Sequence, residues 1–427
     1  MTTTLEGVMG RFMNKATGLG ILSSVLVSTA ALAGGFDRGA VNIDQLFDRD
    51  RFSARAGVTY VNPQRTINNI QRPPVGAPFA GASIDVDGDY WVPRFGVKTN
   101  VAQGVDCLAT YSEPFGADAK YGTNNIYSPS AVEFYLDTQD YGLTCSYQHA
   151  MGSTKYGDSF LRFIAGGSYM EVQGFLSRQS FLFGSAGLGV APLTEFGLGT
   201  FSIEDEAFGW RAGLAYEIPE IALNATILYS SEYDLDLTGI QNNTGFSTLT
   251  PGQQAALGGP TIPIRLLGAE IPQALDIKLQ TGINESTLVF LNMRWQDWSR
   301  LSILPVINRN TNTPTGSTLD VSYRDGYTVT AGFGKKLSEK VSTLTSLTWD
   351  RGTSTIVGTQ SDTWTLAAGI RYKENDRLRF SFGGAIGILE GGMSSINPAN
   401  PDPSSGITYS FDADYVYALT TSVKYRF

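Results

Sequence analysis

The chain has 427 residues, of which 17% are charged and 11% aromatic, with 48 glycines, two cysteines and a formal net charge of −9. This balance, with near-neutral mean hydropathy, excludes both a disordered chain and a bundle of membrane helices. An acidic chain is also a poor partner for nucleic acid.

The first element is the one strongly apolar run, Gly18 to Ala33, which follows Lys15 and ends in the small-residue pattern Ala31-Leu32-Ala33. It is shorter than the ~20 residues a spanning helix needs and has the layout of a signal peptide, residues 1–33, cleaved after Ala33. Met13, just before Asn14-Lys15, reads as a second possible start. Cleavage removes Glu6, Arg11 and Lys15 and places the mature chain in an oxidising compartment. Residues 34–50 then form an N-terminal arm that begins Gly34-Gly35-Phe36.

From residue 51 onward the pattern alternates with period two and shows no useful helical periodicity. The predicted class is all-β, a transmembrane antiparallel β-barrel with a short N-terminal plug. About fourteen strands are predicted, near 51–62, 89–102, 104–112, 134–149, 159–175, 207–218, 220–237, 272–283, 286–300, 323–337, 340–351, 361–373, 376–390 and 409–427. An even count is what a single-chain bacterial barrel requires. In the last strand Phe411, Ala413, Tyr415, Tyr417, Leu419, Thr421, Val423, Tyr425 and Phe427 share one face, and Asp412, Asp414, Thr420, Ser422, Lys424 and Arg426 the other. One face suits lipid and one water. Closure gives every backbone donor and acceptor a partner inside the bilayer.

Short turns such as Ile218-Pro219-Glu220, Leu337-Ser338-Glu339 and Glu374-Asn375-Asp376 alternate with long connections at 63–88, 113–133, 176–206, 238–271, 301–322 and 391–408. That alternation distinguishes the periplasmic from the outer side of a membrane barrel. Segments 181–201 and 255–271 are more apolar than exposed loops should be. They either plug the barrel by packing on each other or cradle an apolar ligand. Between them the residues leave the choice open.

Enzyme chemistry has few candidates. The single histidine, His149, falls at the periplasmic end of a strand with no orienting partner that the sequence can place beside it, and no metal-ligand spacing or phosphate loop occurs. No cofactor, no metal and no catalytic residue is expected. Cys107 and Cys145 lie in neighbouring predicted strands. They are either a disulfide or two small apolar side chains on the wall.

Asn42-Ile43-Asp44-Gln45-Leu46-Phe47-Asp48-Arg49 running into Phe52-Ser53-Ala54-Arg55-Ala56-Gly57-Val58-Thr59-Tyr60, then Tyr111-Ser112-Glu113-Pro114-Phe115-Gly116-Ala117, Phe208-Gly209-Trp210-Arg211-Ala212-Gly213 and Trp295-Gln296-Asp297-Trp298-Ser299 occur in this order. Together with the strand count they resemble the FadL/TodX family of outer-membrane long-chain fatty acid and hydrocarbon transporters. The resemblance spans the mature chain. It implies a monomeric barrel in the outer membrane of a Gram-negative bacterium, inserted by the barrel assembly machinery, surrounded by outer-membrane lipid and carrying a hydrophobic small molecule such as a fatty acid or an aromatic hydrocarbon.

It further implies a plug, here with Phe36 and Asn42, and a lateral exit at a kink in the third strand, here Pro114, Phe115, Gly116 and Ala117. Proline cannot donate to the ladder and glycine weakens a strand, which suits an interrupted wall, although a strand ending in a turn has the same signature. The expected capture site comprises Phe181, Phe183, Leu188, Ile264 and Leu267. The family's plug usually carries Asn-Pro-Ala, whereas here Ile43 and Asp44 follow Asn42. At the family's basic ligand positions stand Glu171 and Leu319, with Arg178 and Arg324 nearby. General porin and receptor functions are the rival expectations.

Overall fold

The computed structural model describes residues 34–39, 41–71, 83–86, 88–182, 194–243, 259–400 and 406–427, with isolated residues 250 and 252. The proposed signal segment therefore lies outside the described residues. Fourteen antiparallel strands close a barrel. They are β1 Phe52–Pro63, β2 Tyr90–Ala102, β3 Val105–Ser112, β4 Glu133–Thr154, β5 Gly157–Leu182, β6 Thr194–Ile218 and β7 Leu223–Ser230. The rest are β8 Ala274–Asn284, β9 Thr287–Gln296, β10 Gly326–Lys336, β11 Val341–Arg351, β12 Thr363–Lys373, β13 Leu378–Leu389 and β14 Asp414–Arg426. Each pairs with its neighbours in sequence, and β1 closes on β14 through Ser53–Arg426 to Pro63–Val416.

Period-two patterning decides which side of each strand meets lipid. On β14, Tyr415, Tyr417 and Leu419 are exposed on the outer face while Val416 and Ala418 are buried toward the lumen. An outward aromatic row follows the wall at one height, with Tyr111 opposite Tyr141, Tyr141 opposite Tyr169 and Tyr169 opposite Phe208. On the far side Trp349 lies opposite Trp364. Such a girdle marks a membrane interface. Cys107 and Cys145 face each other across β3 and β4 and are joined in a disulfide, which decides the alternative left open by the sequence.

All six long predicted connections contain strand. β5 and β6 carry the ladder into 176–206, pairing Ser177 with Thr200 and Leu182 with Thr194. Above β7 to β10 the segments Thr238–Asn242, Thr261–Leu266, Ile303–Asn308 and Thr313–Asp320 pair in succession as an upper wall. Their apolar residues mark an inner face above the membrane, so the hydrophobic signal assigned to loops belongs to strands. The predicted final strand is also divided. Thr408–Phe411 joins a separate four-stranded outer sheet, where Tyr409 and Phe411 are buried in a cluster with Ile67, Ile70, Ile126 and Ile407. Phe411 thus faces protein and not lipid.

The arm threads the lumen. Its periplasmic end is a short 3-10 turn, Asp44–Phe47, in which Ile43, Leu46 and Phe47 pack on Leu108, Ile164, Ala215 and Leu228 of the wall. Charged contacts hold this end. Lys278 meets Asp44 at 2.8 Å, Arg426 meets Asp50 at 2.7 Å, Lys424 pairs with Asp48, and Lys98 Nζ donates to the carbonyls of Asp48 and Asp50.

Candidate functional site

The other end of the arm meets an apolar cavity of about 100 Å³ above the barrel. Its lining comes from β4 (Phe134, Leu136), β5 (Val172, Leu176, Arg178), β6 (Phe201, Ile203), the upper wall (Ile264, Leu266, Leu304, Val306, Leu319) and Phe36 of the arm. Few polar groups break this surface. Arg178 stacks its guanidinium 4.7 Å from the centroid of the Phe201 ring and donates from Nη2 to Ser317 Oγ at 2.7 Å. Glu270, also on the lining, pairs with Arg300 at 2.5 Å, and burial nevertheless holds its carboxyl above the usual range.

Phe36 is fixed from several sides. Its ring lies 5.9 Å from Trp298, 5.7 Å from Tyr323 and 6.4 Å from Phe134, centroid to centroid. Gly35 before it passes so close to Trp298 that a Cβ there would stand 2.6 Å from the indole ring. Gly34 N–H donates to Asp350 Oδ1 at 2.8 Å and Gly35 N–H to Thr353 Oγ1 at 2.5 Å.

Immediately after Phe36 the arm meets the interruption in the wall. β2 remains paired with β1 up to Tyr90, but its pairing with β3 stops at Arg94–Ser112. β3 breaks at Glu113–Phe115 and resumes as Gly116–Lys120, paired only with β4. Pro114 and the two residues beside it therefore interrupt a strand and do not end one in a turn.

The arm supplies the missing partners. Arg38 N–H donates to the Pro114 carbonyl at 2.8 Å, and Gly116 N–H donates to the Phe36 carbonyl at 2.7 Å. The Thr138 hydroxyl accepts from Phe115 N–H at 3.0 Å and donates to the Phe115 carbonyl at 2.7 Å. Arg38 fills the gap itself. It pairs with Asp118 and, at 3.1 Å, with Asp137, and lies 4.5 Å from the centroid of the Tyr90 ring. The absence of a side chain at Gly116 gives the guanidinium this place. Asp37 points the other way, to Arg294 at 3.0 Å, and burial holds its carboxyl above the usual range despite that partner.

Of the residues expected at the capture site, the structure brings Ile264 and Arg178 to the cavity, together with Phe36 of the plug. Leu267 is exposed outside the lining, and Arg324 is directed to the Gly352 carbonyl and to Asp362 at 3.2 Å. Phe181 pairs with Glu195 in the β5–β6 ladder, while Phe183 and Leu188 lie outside the described residues. Asn42 stands lower on the arm, its side-chain oxygen accepting from Asp44 N–H at 2.8 Å. Ala117 begins the resumed part of β3 and packs against the core around the cavity. Phe134, Leu304 and Arg38 escaped the sequence reading, whereas Phe201 closes the apolar segment 181–201 that it singled out. The alternation of Phe134 with Leu136 was the available signal for the first of these, and none marked Arg38.

The sequence matches the family model for outer membrane protein transport protein (OMPP1/FadL/TodX) over residues 28–427. No curated protein sequence matches the chain. Among solved structures the fold is similar to a FadL homologue of Pseudomonas aeruginosa, with a TM-score of 0.73 at 16% identity, covering 93% of this chain and 96% of that one. It is also similar to the toluene transporter TbuX of Ralstonia pickettii (TM-score 0.59, 14% identity, 88% and 90% covered). A third similar fold is the toluene transporter TodX of Pseudomonas putida (TM-score 0.58, 14% identity, 90% and 92% covered). At these identities the structures speak for the fold, and the family model speaks for membership: the chain belongs to the FadL/TodX family of transport proteins of the Gram-negative outer membrane, which are passive channels and not enzymes.

Proposed function

We propose that this protein carries long-chain fatty acids passively, capturing them in the cavity above the barrel and releasing them sideways through the interruption in β3. The observation that carries the reading is the position of Phe36. It lines the apolar cavity, and its carbonyl accepts the Gly116 N–H at the wall gap. A cavity of about 100 Å³ is smaller than the ~150 Å³ one known to admit benzene, so an acyl chain has to displace part of the lining. Phe36 is the lining residue borne by a separate segment of chain. Displacing it pulls on Arg38, two residues on, and uncovers the gap.

The energetics favour a lateral path. Burying a tail of about sixteen carbons at ~0.8 kcal/mol per CH₂ contributes at most ~13 kcal/mol, against ~1.5–3 kcal/mol for a charged hydrogen bond to the head group. Exit into water forfeits the larger part, and exit into lipid retains it. The ion pairs around Asp44, Asp48 and Asp50 also obstruct the route down the lumen. Arg178 favours a carboxylate head over a neutral ligand, because it places a cation on a mostly apolar lining whose carboxylate, Glu270, is paired with Arg300.

A monoaromatic hydrocarbon is the second reading, supported by Phe36, Phe134 and Phe201 on the lining and by the small volume. Uptake of labelled oleate and of toluene by cells lacking their own transporter tests both. Oleate uptake that depends on this protein supports the first reading, toluene uptake alone the second, and neither overturns both.

A further inference from the structure

The wall has a second interruption. On the side of β6 that faces β7 the ladder stops at Arg211–Ser230 and resumes only at Glu204–Thr238, where the upper wall begins. Between these points the chain from Ser231 to Leu237 leaves β6 and pairs on its other side, Tyr233 with Ile271 and Asp234 with Glu270. Ser231 closes the lower end, where its N–H donates to the Trp210 carbonyl and its hydroxyl oxygen accepts from Trp210 N–H, both at 2.9 Å. Between Trp210 and Glu204, among the described residues, no backbone-to-backbone bond crosses the seam.

Tyr233 covers this seam from inside, as Arg38 covers the gap in β3. Gly209 gives the ring its place, since a Cβ there would stand 2.6 Å from it. The buried hydroxyl donates to Asp140 Oδ2 at 3.0 Å and meets Ser168 Oγ at 2.5 Å. Outside, Phe208 is 77% exposed and belongs to the aromatic row that starts at Tyr111, so both interruptions lie at the membrane interface. Unpaired backbone is tolerated at that height and not in the hydrocarbon core. Inside, Leu235 and Leu237 line the capture cavity, and Ser231 and Tyr233 line a further cavity of about 30 Å³ together with Pro114 and Phe115 of the β3 gap. Ile271 lines both cavities, so the two seams share one interior junction with the capture site. A space of this size holds about one or two waters, and a ligand passes only when the Tyr233 ring moves aside.

We infer that the β6–β7 seam is a second side exit, closed by Tyr233, that passes uncharged apolar molecules into lipid and excludes carboxylates. The exposed carboxylates Glu206, Asp234 and Asp236 flank it, and among the described residues only Asp236 of these has an ion-pair partner, Arg265 at 3.7 Å. Their field repels the head of a fatty acid and leaves its methyl ester unaffected. The inference rests on capture in the cavity above the barrel and not on release through β3.

The test shuts the first exit in the full-length protein. Asp37 opposes Phe115 in the bridge between arm and wall, so Asp37→Cys/Phe115→Cys in a Cys107→Ser/Cys145→Ser background is locked there by oxidation. Initial uptake of labelled oleate and labelled methyl oleate is measured in cells with this protein, against cells lacking it. The oxidised protein should pass methyl oleate and not oleate. Adding Tyr233→Ala should raise methyl oleate uptake at least threefold, and Tyr233→Phe, which keeps the ring and loses its two hydroxyl contacts, should raise it less. Adding Glu206→Gln/Asp234→Asn/Asp236→Asn to Tyr233→Ala should let oleate through as well. Heat-modifiable gel migration reports whether each variant folds. Methyl oleate uptake that stops on oxidation and stays absent in a folded Tyr233→Ala variant would overturn the second exit, and so would equal passage of both ligands through the oxidised parent. The reduced protein is measured beside it, and no uptake of either ligand there would overturn capture itself.

Discussion

Gly116 donates its backbone N–H to the carbonyl of Phe36 at 2.7 Å, so a residue of the wall completes its ladder with the arm and not with a strand. Paired with the return bond from Arg38 to Pro114, this makes two residues of the arm a patch in the β2–β3 seam.

Gly116→Leu tests the patch. A side chain at this position competes with the Arg38 guanidinium. In the proposed release Arg38 leaves with the arm, whereas a leucine built into β3 would stay. Uptake of labelled oleate should fall at least tenfold while heat-modifiable migration still reports a folded barrel. Uptake at the wild-type rate would contradict lateral release.

Phe36→Ala addresses the capture step. The ring occupies space that a ligand has to take, so its removal should tighten oleate binding by roughly tenfold, equivalent to about 1.4 kcal/mol. Quenching of Trp298, 5.9 Å from the Phe36 ring, provides the readout. Weaker binding would mean that Phe36 is part of the ligand's seat and not its competitor.

Arg178→Gln separates the two ligand classes. Losing a charged hydrogen bond of about 1.5–3 kcal/mol should weaken oleate binding roughly ten- to a hundredfold. Toluene, which has no group for Arg178 to meet, should bind equally well to both proteins. Equal loss for both ligands would assign Arg178 a structural role in holding Ser317.

Cys107→Ser/Cys145→Ser removes a covalent tie between β4 and the periplasmic part of the interrupted strand. The tie closes a loop of 38 residues, and constraints of this size stabilise by about 2–4 kcal/mol. The double variant should insert normally and lose its heat-modifiable form at a lower temperature than wild type. Equal thermal behaviour would show that the β3–β4 ladder alone holds this part of the wall.

The strand positions were legible because alternation is imposed by lipid on one side and lumen on the other, a constraint that acts on every residue of Tyr415 to Val423. The upper wall was not, because in Ile303–Asn308 apolar residues stand at both parities, Ile303 and Ile307 as well as Leu304 and Val306, and the period-two signal fades. The interruption at Pro114 could be suspected from residue chemistry, but its closure by Arg38 could not. That contact joins residues far apart in sequence, and nothing local to Arg38 or Gly116 reports the ion pairs with Asp118 and Asp137. The capture site divided in the same manner. Ile264 and Phe201 carried an apolar signal in segments read as loops, whereas Phe134 was read as an ordinary strand residue and reaches the cavity because β4 to β6 rise above the membrane.

The most direct measurement locks the arm to the wall. Asp37 and Phe115 oppose each other in an antiparallel bridge, so Asp37→Cys/Phe115→Cys, made in the Cys107→Ser/Cys145→Ser background, can be cross-linked there and released by reduction. The account predicts that oleate uptake is abolished in the oxidised protein and returns on reduction to the rate of the reduced variant. Uptake that proceeds equally in the oxidised and reduced forms would contradict it, since the ligand would then leave by a path that the arm does not cover.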